Sequence, residues 1–461
     1  METDKQRLST KIKIGFGICD LGGNLFFTIL GFYLLFFLTD IVKLAAGLAG
    51  TALMIGKIWD AVTDPAVGYL SDRTSSAMGR RRPYILAGSV LLFFFMILMF
   101  YNPHISGQRN LFIWTAVVFC LLNTAYTLVN IPYGALTPEL TADFNERTVL
   151  NGYRMSFAVV GTLIGAGLVL PVVGLFKNPD LGWTFMGGVM GGVMTATALV
   201  TFFTVKRLDK AKPVVQKNIL RSYIEVLGLK PFLLALLPWT LHITGITVIQ
   251  GALLYYFRYI YKAENYFQFA LLALLLSSLI FIPLWVRVSR KIGKKLSYNI
   301  GMLIFSSTVI AFFFFGQSCG VNFAIGIMFI GGIGFSTQYV MPWAIIPDIV
   351  EYDAIKNSTR REGVFYGLWT FVSKFGQAFA LALNGWVLSL FGYLPDVEQG
   401  RLSILGIKLL CGPIPALFFI AGVIILSFYP INRAFYNRMM SEGLIGIIYE
   451  KGDPVQNLYR A

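Results

Sequence analysis

The chain has 461 residues, 56% of them hydrophobic and 15% aromatic, and only 13% are charged. A soluble protein carries about 25% charged residues, so a water-soluble domain is excluded. The formal net charge of +15 does not mark a nucleic-acid binder, because the basic residues are parcelled into alternate segments between apolar runs.

Runs such as "VLLFFFMILMF" and "VIAFFFFG" leave no polar face. The apolar stretches have the length of a membrane helix rather than that of a barrel strand, so the fold class is all-α integral membrane. Hydropathy predicts twelve transmembrane helices, at 13–39, 45–71, 84–103, 112–137, 153–178, 183–205, 231–259, 266–288, 297–317, 322–346, 363–392 and 404–429. The longest basic segment, 206–230, reads as a cytoplasmic linker between an N-terminal six-helix bundle (1–205) and a C-terminal one (231–430). Residues 431–461 form a cytoplasmic tail, with a short amphipathic helix expected at "NRAFYNRMM". Lys and Arg gather in "KQRLSTKIK", "DRTSSAMGRRRP", "RVSRKIGKK" and "KNSTRR", which places both termini in the cytoplasm of an inner-membrane protein. The polar start lacks a cleavage site and reads as no removable signal peptide. Cys19, Cys120, Cys319 and Cys411 have no metal or disulfide spacing and read as free core thiols.

Two internal correspondences support the six-plus-six division. "GYLSDRTSSAMGRRRPYILAG" answers "LWVRVSRKIGKKLSYNIG", and "IPYGALTPELTADFNERT" answers "MPWAIIPDIVEYDAIKNSTRREG". Two similar halves about an axis along the membrane normal is the arrangement of the major facilitator superfamily, with substrate between the halves. The loop "GYLSDRTSSAMGRRR" also resembles that superfamily's signature, in which Asp72 with Arg80 and Arg81 latches the cytoplasmic side. Glu351 and Arg361 are the corresponding gating candidates in the second half.

Few ionisable residues fall deep in the spans: Asp20, Lys57, Asp60, Asp64, Arg154 and Lys374, with His242 mid-span. Each is a functional candidate by default; the plainer alternative is that Arg154 and Lys374 only neutralise the acids. Asp60 and Asp64 share a helix face and repel unless a cation lies between them. With a hydroxyl from Thr63 or Thr127 they suit Na⁺; desolvated, one of them suits a proton. Asp20 and Arg154 suit sugar hydroxyls, and Tyr126, Asn130, Trp343 and Trp369 add amide and aromatic surface. For the tyrosine and tryptophans, ordinary packing is the competing reading. His242 is either cavity-facing or a core histidine bonded to a neighbouring carbonyl.

At "KIWDAVTDPAVGYLSD" and "YTLVNIPYGALTPELTADFNERTVLNGYR" the chain resembles the glycoside–pentoside–hexuronide:cation symporter family, typified by the melibiose permease. The resemblance implies that Asp60, Asp64 and Thr127 bind the cation, that Asp20 and Arg154 bind sugar, and that Lys374 lies near both sites. Asn130, Gly134, Thr63 and Cys19 depart from the melibiose permease, which argues against copying its sugar or its cation preference. A branch of the family carrying lysophospholipids with sodium shares a "WDAxTDP" pattern but lacks the first-helix aspartate. The expectation is a sugar:cation symporter, not an enzyme, with no cofactor beyond co-transported Na⁺ or H⁺. Its partners would be a small sugar and membrane lipid, with no nucleic acid, and it would act as a monomer.

Overall fold

The computed structural model describes residues 8–141, 143–206, 219–357, 361–431 and 435. Every regular element among them is helical. The first span is built from α1 (Thr10–Gly17), α2 (Cys19–Ile29) and two π-helical stretches, Leu30–Leu34 and Phe37–Ile41. The next five are α3 (Ala46–Arg73), α4 (Arg82–Met99), α5 (Gln108–Leu140), α6 (Phe144–Val173) and α7 (Pro179–Thr204). A short helix, α8 (Ile219–Leu227), occupies the end of the segment read as linker. It is followed by α9 (Lys230–Tyr255) with its π-helical end Tyr256–Ile260, α10 (Phe267–Ile292), α11 (Lys294–Phe335), α12 (Thr337–Asn357) and α13 (Glu362–Leu390). The last span is α14 (Arg401–Cys411) and α15 (Pro413–Ser427). Most of the predicted tail, including "NRAFYNRMM", lies outside the described residues.

By length and apolarity alone, nine helical stretches among the described residues qualify to cross a membrane. One of them, Lys294–Ile355, is divided at Gly320, whose φ of 77° only glycine adopts readily. The nine omit α3 and α13, the helices that carry the charges Lys57, Asp60, Asp64 and Lys374. With those two and the division at Gly320, all twelve predicted spans have a helical counterpart. Large apolar side chains such as Phe94, Phe203, Phe314 and Leu417 are more than half exposed, as lipid-facing surfaces require. Cys319 is also exposed, so it is not the core thiol expected from its apolar context; Cys19 and Cys411 are buried.

The chain separates into two compact units. The first comprises 1–215, 247–272 and 377–411, and the second 216–246, 273–376 and 412–461. In the first, α3 and α4 pack on α5, α2 on α6 and α4 on α7. Phe16, Tyr133, Leu136 and Phe202 form part of its core. In the second, α11 packs on α12 and α15, around Phe232, Trp239, Tyr298, Met302 and Trp369.

The sequence correspondence between the halves has a structural counterpart. Gly79 (φ 103°) precedes Arg80, and Gly293 (φ 88°) precedes Lys294. Arg80 and Arg81 bind Glu139, which follows Pro138, and Arg81 also binds Asp72 at 3.0 Å. Lys294 binds Asp348, which follows Pro347, at 2.7 Å. Each unit thus repeats one device: a glycine turn aims a cation at the acid after a proline.

Within the first unit the start of α3 crosses the end of α13 at two glycines. A Cβ on Gly50 would lie 2.8 Å from the Leu381 carbonyl oxygen, and one on Gly385 would lie 2.2 Å from that of Ala46. Absence of side chains at both positions sets the depth of this crossing. Near it, the π-helical ends Phe37–Ile41 and Tyr256–Ile260 surround Asp40, which is 2% exposed. Its carboxylate accepts hydrogen bonds from Thr39 and Tyr393, each at 2.6 Å, and from Tyr259. Tyr255 joins through Thr39, and Lys43 and Arg258 pair with the neighbouring Asp396.

Candidate cation and solute site

α3 carries Lys57, Asp60 and Asp64 at helical spacing, so all three share one helix face, where Asp60 and Asp64 meet α5. Asp60 is 1% exposed and Lys57 6%, while Asp64 is half-buried. The Lys57 ammonium binds Asp60 Oδ2 at 2.9 Å. It also lies 5.2 Å from the centre of the Phe27 ring, a cation–π contact. From α5, the Thr127 hydroxyl reaches Asp60 Oδ1 at 3.1 Å and Asp64 Oδ1 at 3.0 Å. A hydroxyl has a single hydrogen, so it donates to one carboxylate at a time. The other contact sets oxygen against oxygen, which a proton or a metal cation would satisfy. Pro65, next to Asp64, has no N–H to give the Ala61 carbonyl, which leaves a further oxygen on the same helix. The Thr63 hydroxyl donates to the Asp60 main-chain carbonyl at 3.2 Å. Among the described residues, no three His, Cys, Asp or Glu side chains cluster in metal-holding geometry.

One helix away, Asp20 of α2 meets Arg154 of α6. Arg154 Nε lies 2.6 Å from Asp20 Oδ2, and Nη2 lies 3.3 Å from Oδ1. Tyr133 donates to Asp20 Oδ2 and receives a bond from Arg154 Nε at 3.0 Å, and Thr137 accepts from Nη1 at 3.0 Å. The forked geometry fixes the guanidinium plane. Tyr133 and Thr137, both on α5, belong to this constellation although the sequence did not single them out. A cavity of about 20 Å³ beside it, room for about one water, is lined by Asp20, Gly23, Tyr126 and Asn130 among others. Tyr126 stacks on Phe26 with ring centres 4.2 Å apart, so much of its face is spent on packing. Gly23 leaves the room its hydroxyl needs: a Cβ there would lie 3.3 Å from it.

A match to the family described as MFS/sugar transport protein spans residues 15–433. The chain belongs to that family. It is 29% identical to the symporter sll1374 of Synechocystis, over 96% of this chain and 97% of that protein. It is equally 29% identical to the glycoside/cation symporter YagG of Escherichia coli, assigned that role putatively, over 93% of each. It is 26% identical to the sodium-dependent lysophosphatidylcholine symporter 1-B of Danio rerio, over 93% of this chain and 88% of that one. The nucleoside transporter NupG has the same fold, with a TM-score of 0.62 over 91% of this chain and 98% of its own at 12% identity. The fold is that of the major facilitator superfamily.

The other candidates lie in the second unit. Trp369 is 1% exposed and stacks on Trp239 with centroids 5.9 Å apart, whereas Trp343 is 44% exposed and meets Trp239 edge-on. The aromatic surface on this side therefore belongs to Trp343, with Tyr366 stacked beside it. Lys374 is half-buried on α13. His242 is fully buried with Nδ1 2.7 Å from the Tyr298 hydroxyl, so it is a core histidine whose partner is a phenol rather than a carbonyl. Arg361 takes Asp353 through two bonds, at 2.9 and 3.1 Å, and Glu225 at 2.6 Å. Those two acids, rather than the exposed Glu351, are the partners seen at Arg361.

Proposed function

We propose that this protein is a secondary active transporter that imports a sugar with Na⁺ or H⁺ by alternating access of two six-helix bundles. The observation that carries the reading is the pair Asp60 and Asp64 sharing one Thr127 hydroxyl, a site one monovalent cation or proton completes. Asp20 and Arg154 bind sugar hydroxyls together with Asn130 and Tyr126, and Trp343, Trp369 and Lys374 are the further substrate-binding candidates. Trp369 supports Trp343 through Trp239. Thr63 tunes the cation site from the second rank. Asp72, Arg80, Arg81 and Glu139 hold the cytoplasmic side, as do Arg361 and the acids around Glu351. Both termini lie in the cytoplasm, the membrane is the inner one, the working unit is a monomer, and no cofactor takes part. The resemblance to glycoside/cation symporters supports a sugar, and the paired Asp20 supports it further, since a carboxylate–guanidinium pair suits hydroxyls better than acyl chains.

The test is a thermal-shift and calorimetric screen of the purified protein, with glycosides, pentosides and uronides against lysophosphatidylcholine, with and without Na⁺. A sugar that binds more tightly with Na⁺, or with falling pH, is the expected result. Lysophosphatidylcholine binding without any sugar response would reassign the protein to lipid transport and leave Asp20 a structural charge.

A further inference from the structure

Asp40 is a buried carboxylate that the proposed cation and solute sites do not use. Among the described residues its hydrogen-bond donors are all hydroxyls. Two of those three come from the other half of the sequence. Tyr259, in the π-helical end of α9, reaches Oδ1, and Tyr393, just after α13, reaches Oδ2 at 2.6 Å. The two phenol oxygens lie 3.1 Å apart, and Tyr259 accepts the Asp396 main-chain N–H at 3.0 Å. Around this hub Lys43 pairs with Asp396, which Arg258 faces at 3.6 Å. One turn earlier on the first span, Phe36 meets Tyr255 with ring centres 5.5 Å apart, both buried.

The first compact unit is therefore more than the first six spans. It takes in 247–272 and 377–411, the stretches that carry Tyr255, Tyr259 and Tyr393. α3 begins at Ala46, close to the hub, and its 28 residues extend about 42 Å towards the loop carrying Arg80. The hub and that loop thus belong to opposite faces of the membrane, with Asp60 and Asp64 between them. A permanent joint here would be served by apolar side chains, which have no charge to desolvate. A carboxylate held by hydroxyls is a joint that water can take apart, because each bond lost on parting is replaced by one to solvent. We propose that Asp40, Tyr259 and Tyr393 form the outer latch of the transport cycle, shut in this structure and parted once per cycle to admit solute. This rests on the transporter reading, with its cytoplasmic termini, and adds to it the group that closes the outside.

The experiment labels Thr39→Cys, at a position 1% exposed beside the hub, with a sulfonated, membrane-impermeant maleimide on intact cells. The background carries Cys319→Ser, because Cys319 is exposed. Labelling rates are compared with the tyrosines intact and with Tyr259→Phe and Tyr393→Phe together. The phenylalanines keep the ring contacts among residues 255, 259 and 393, so only the hydroxyls are lost. The buried Cys411 serves as the internal control for general loosening. The double phenylalanine variant is expected to label at Thr39→Cys at least about tenfold faster from outside, with Cys411 unchanged. Equal rates with and without the hydroxyls would overturn the latch. So would acceleration shared by Cys411, or seen equally from the cytoplasmic side in inside-out vesicles, since either marks a structural cluster. Labelling needs no solute, so the two readings fail separately. Accelerated labelling in a protein whose screen finds neither sugar nor cation binding would leave the latch standing and overturn the sugar:cation reading.

Discussion

Asp64→Asn is expected to abolish cation-driven accumulation while leaving the protein folded. The variant keeps the Lys57–Asp60 ion pair and the Thr127–Asp60 bond, and an asparagine oxygen still faces the Thr127 hydroxyl. What it removes is one of the two negative charges of the carboxylate pair. A unit charge about 4 Å from a monovalent cation is worth roughly 4 kcal/mol at an effective dielectric of 20. Cation affinity should therefore fall at least about a hundredfold. Asp60→Asn is the less informative substitution, because it strands a buried Lys57, and breaking such a pair costs about 3–5 kcal/mol on its own. Uptake into energised vesicles and melting temperature should be read together. An Asp64→Asn protein that still accumulates substrate against a gradient would place the coupling ion elsewhere.

The second large effect is expected at Asp20, where the choice of replacement decides what is learned. Asp20→Ala leaves the Arg154 guanidinium, 18% exposed, with Tyr133 and Thr137 as its neutral partners. Its loss of stability is expected at about 3–5 kcal/mol, so a loss of sugar binding there would confound folding with recognition. Asp20→Asn keeps the shape and one acceptor for the fork. It should melt closer to the wild type yet bind sugar at least about tenfold more weakly, because a neutral amide accepts hydroxyl protons less strongly than a carboxylate. Calorimetry with the sugar found in the screen reads this directly. Unchanged sugar affinity in Asp20→Asn would make the pair structural.

The helices were legible because apolar runs of membrane length have few alternatives, and the charged exceptions within them stood out for the same reason. Asp60 with Asp64 follows from helical spacing alone, and Asp20 with Arg154 from the scarcity of other partners in lipid. The repeat was legible too: the corresponding loops are the ones whose glycine turns carry Arg80 and Lys294 to Glu139 and Asp348. Tyr133 escaped notice because a tyrosine in an apolar run looks like packing until its hydroxyl is seen on Asp20. Asp40 was hidden by distance: its partners Tyr259 and Tyr393 lie 219 and 353 residues along the chain. Lys57 was visible as a charge, but only its 2.9 Å contact shows that its partner is Asp60.

The paired glycines where α3 crosses α13 bear on how the sequence can drift. Every single-base change in a glycine codon that alters the residue without ending the chain adds a Cβ. At Gly385 that carbon would meet a main-chain oxygen at 2.2 Å, so no rotamer change relieves the clash and one helix must move off the other. Neither Gly50 nor Gly385 can be exchanged first and repaired later by its partner, since the partner has no side chain left to shrink. The crossing is thus a fixed point around which the rest of both helices is free to vary.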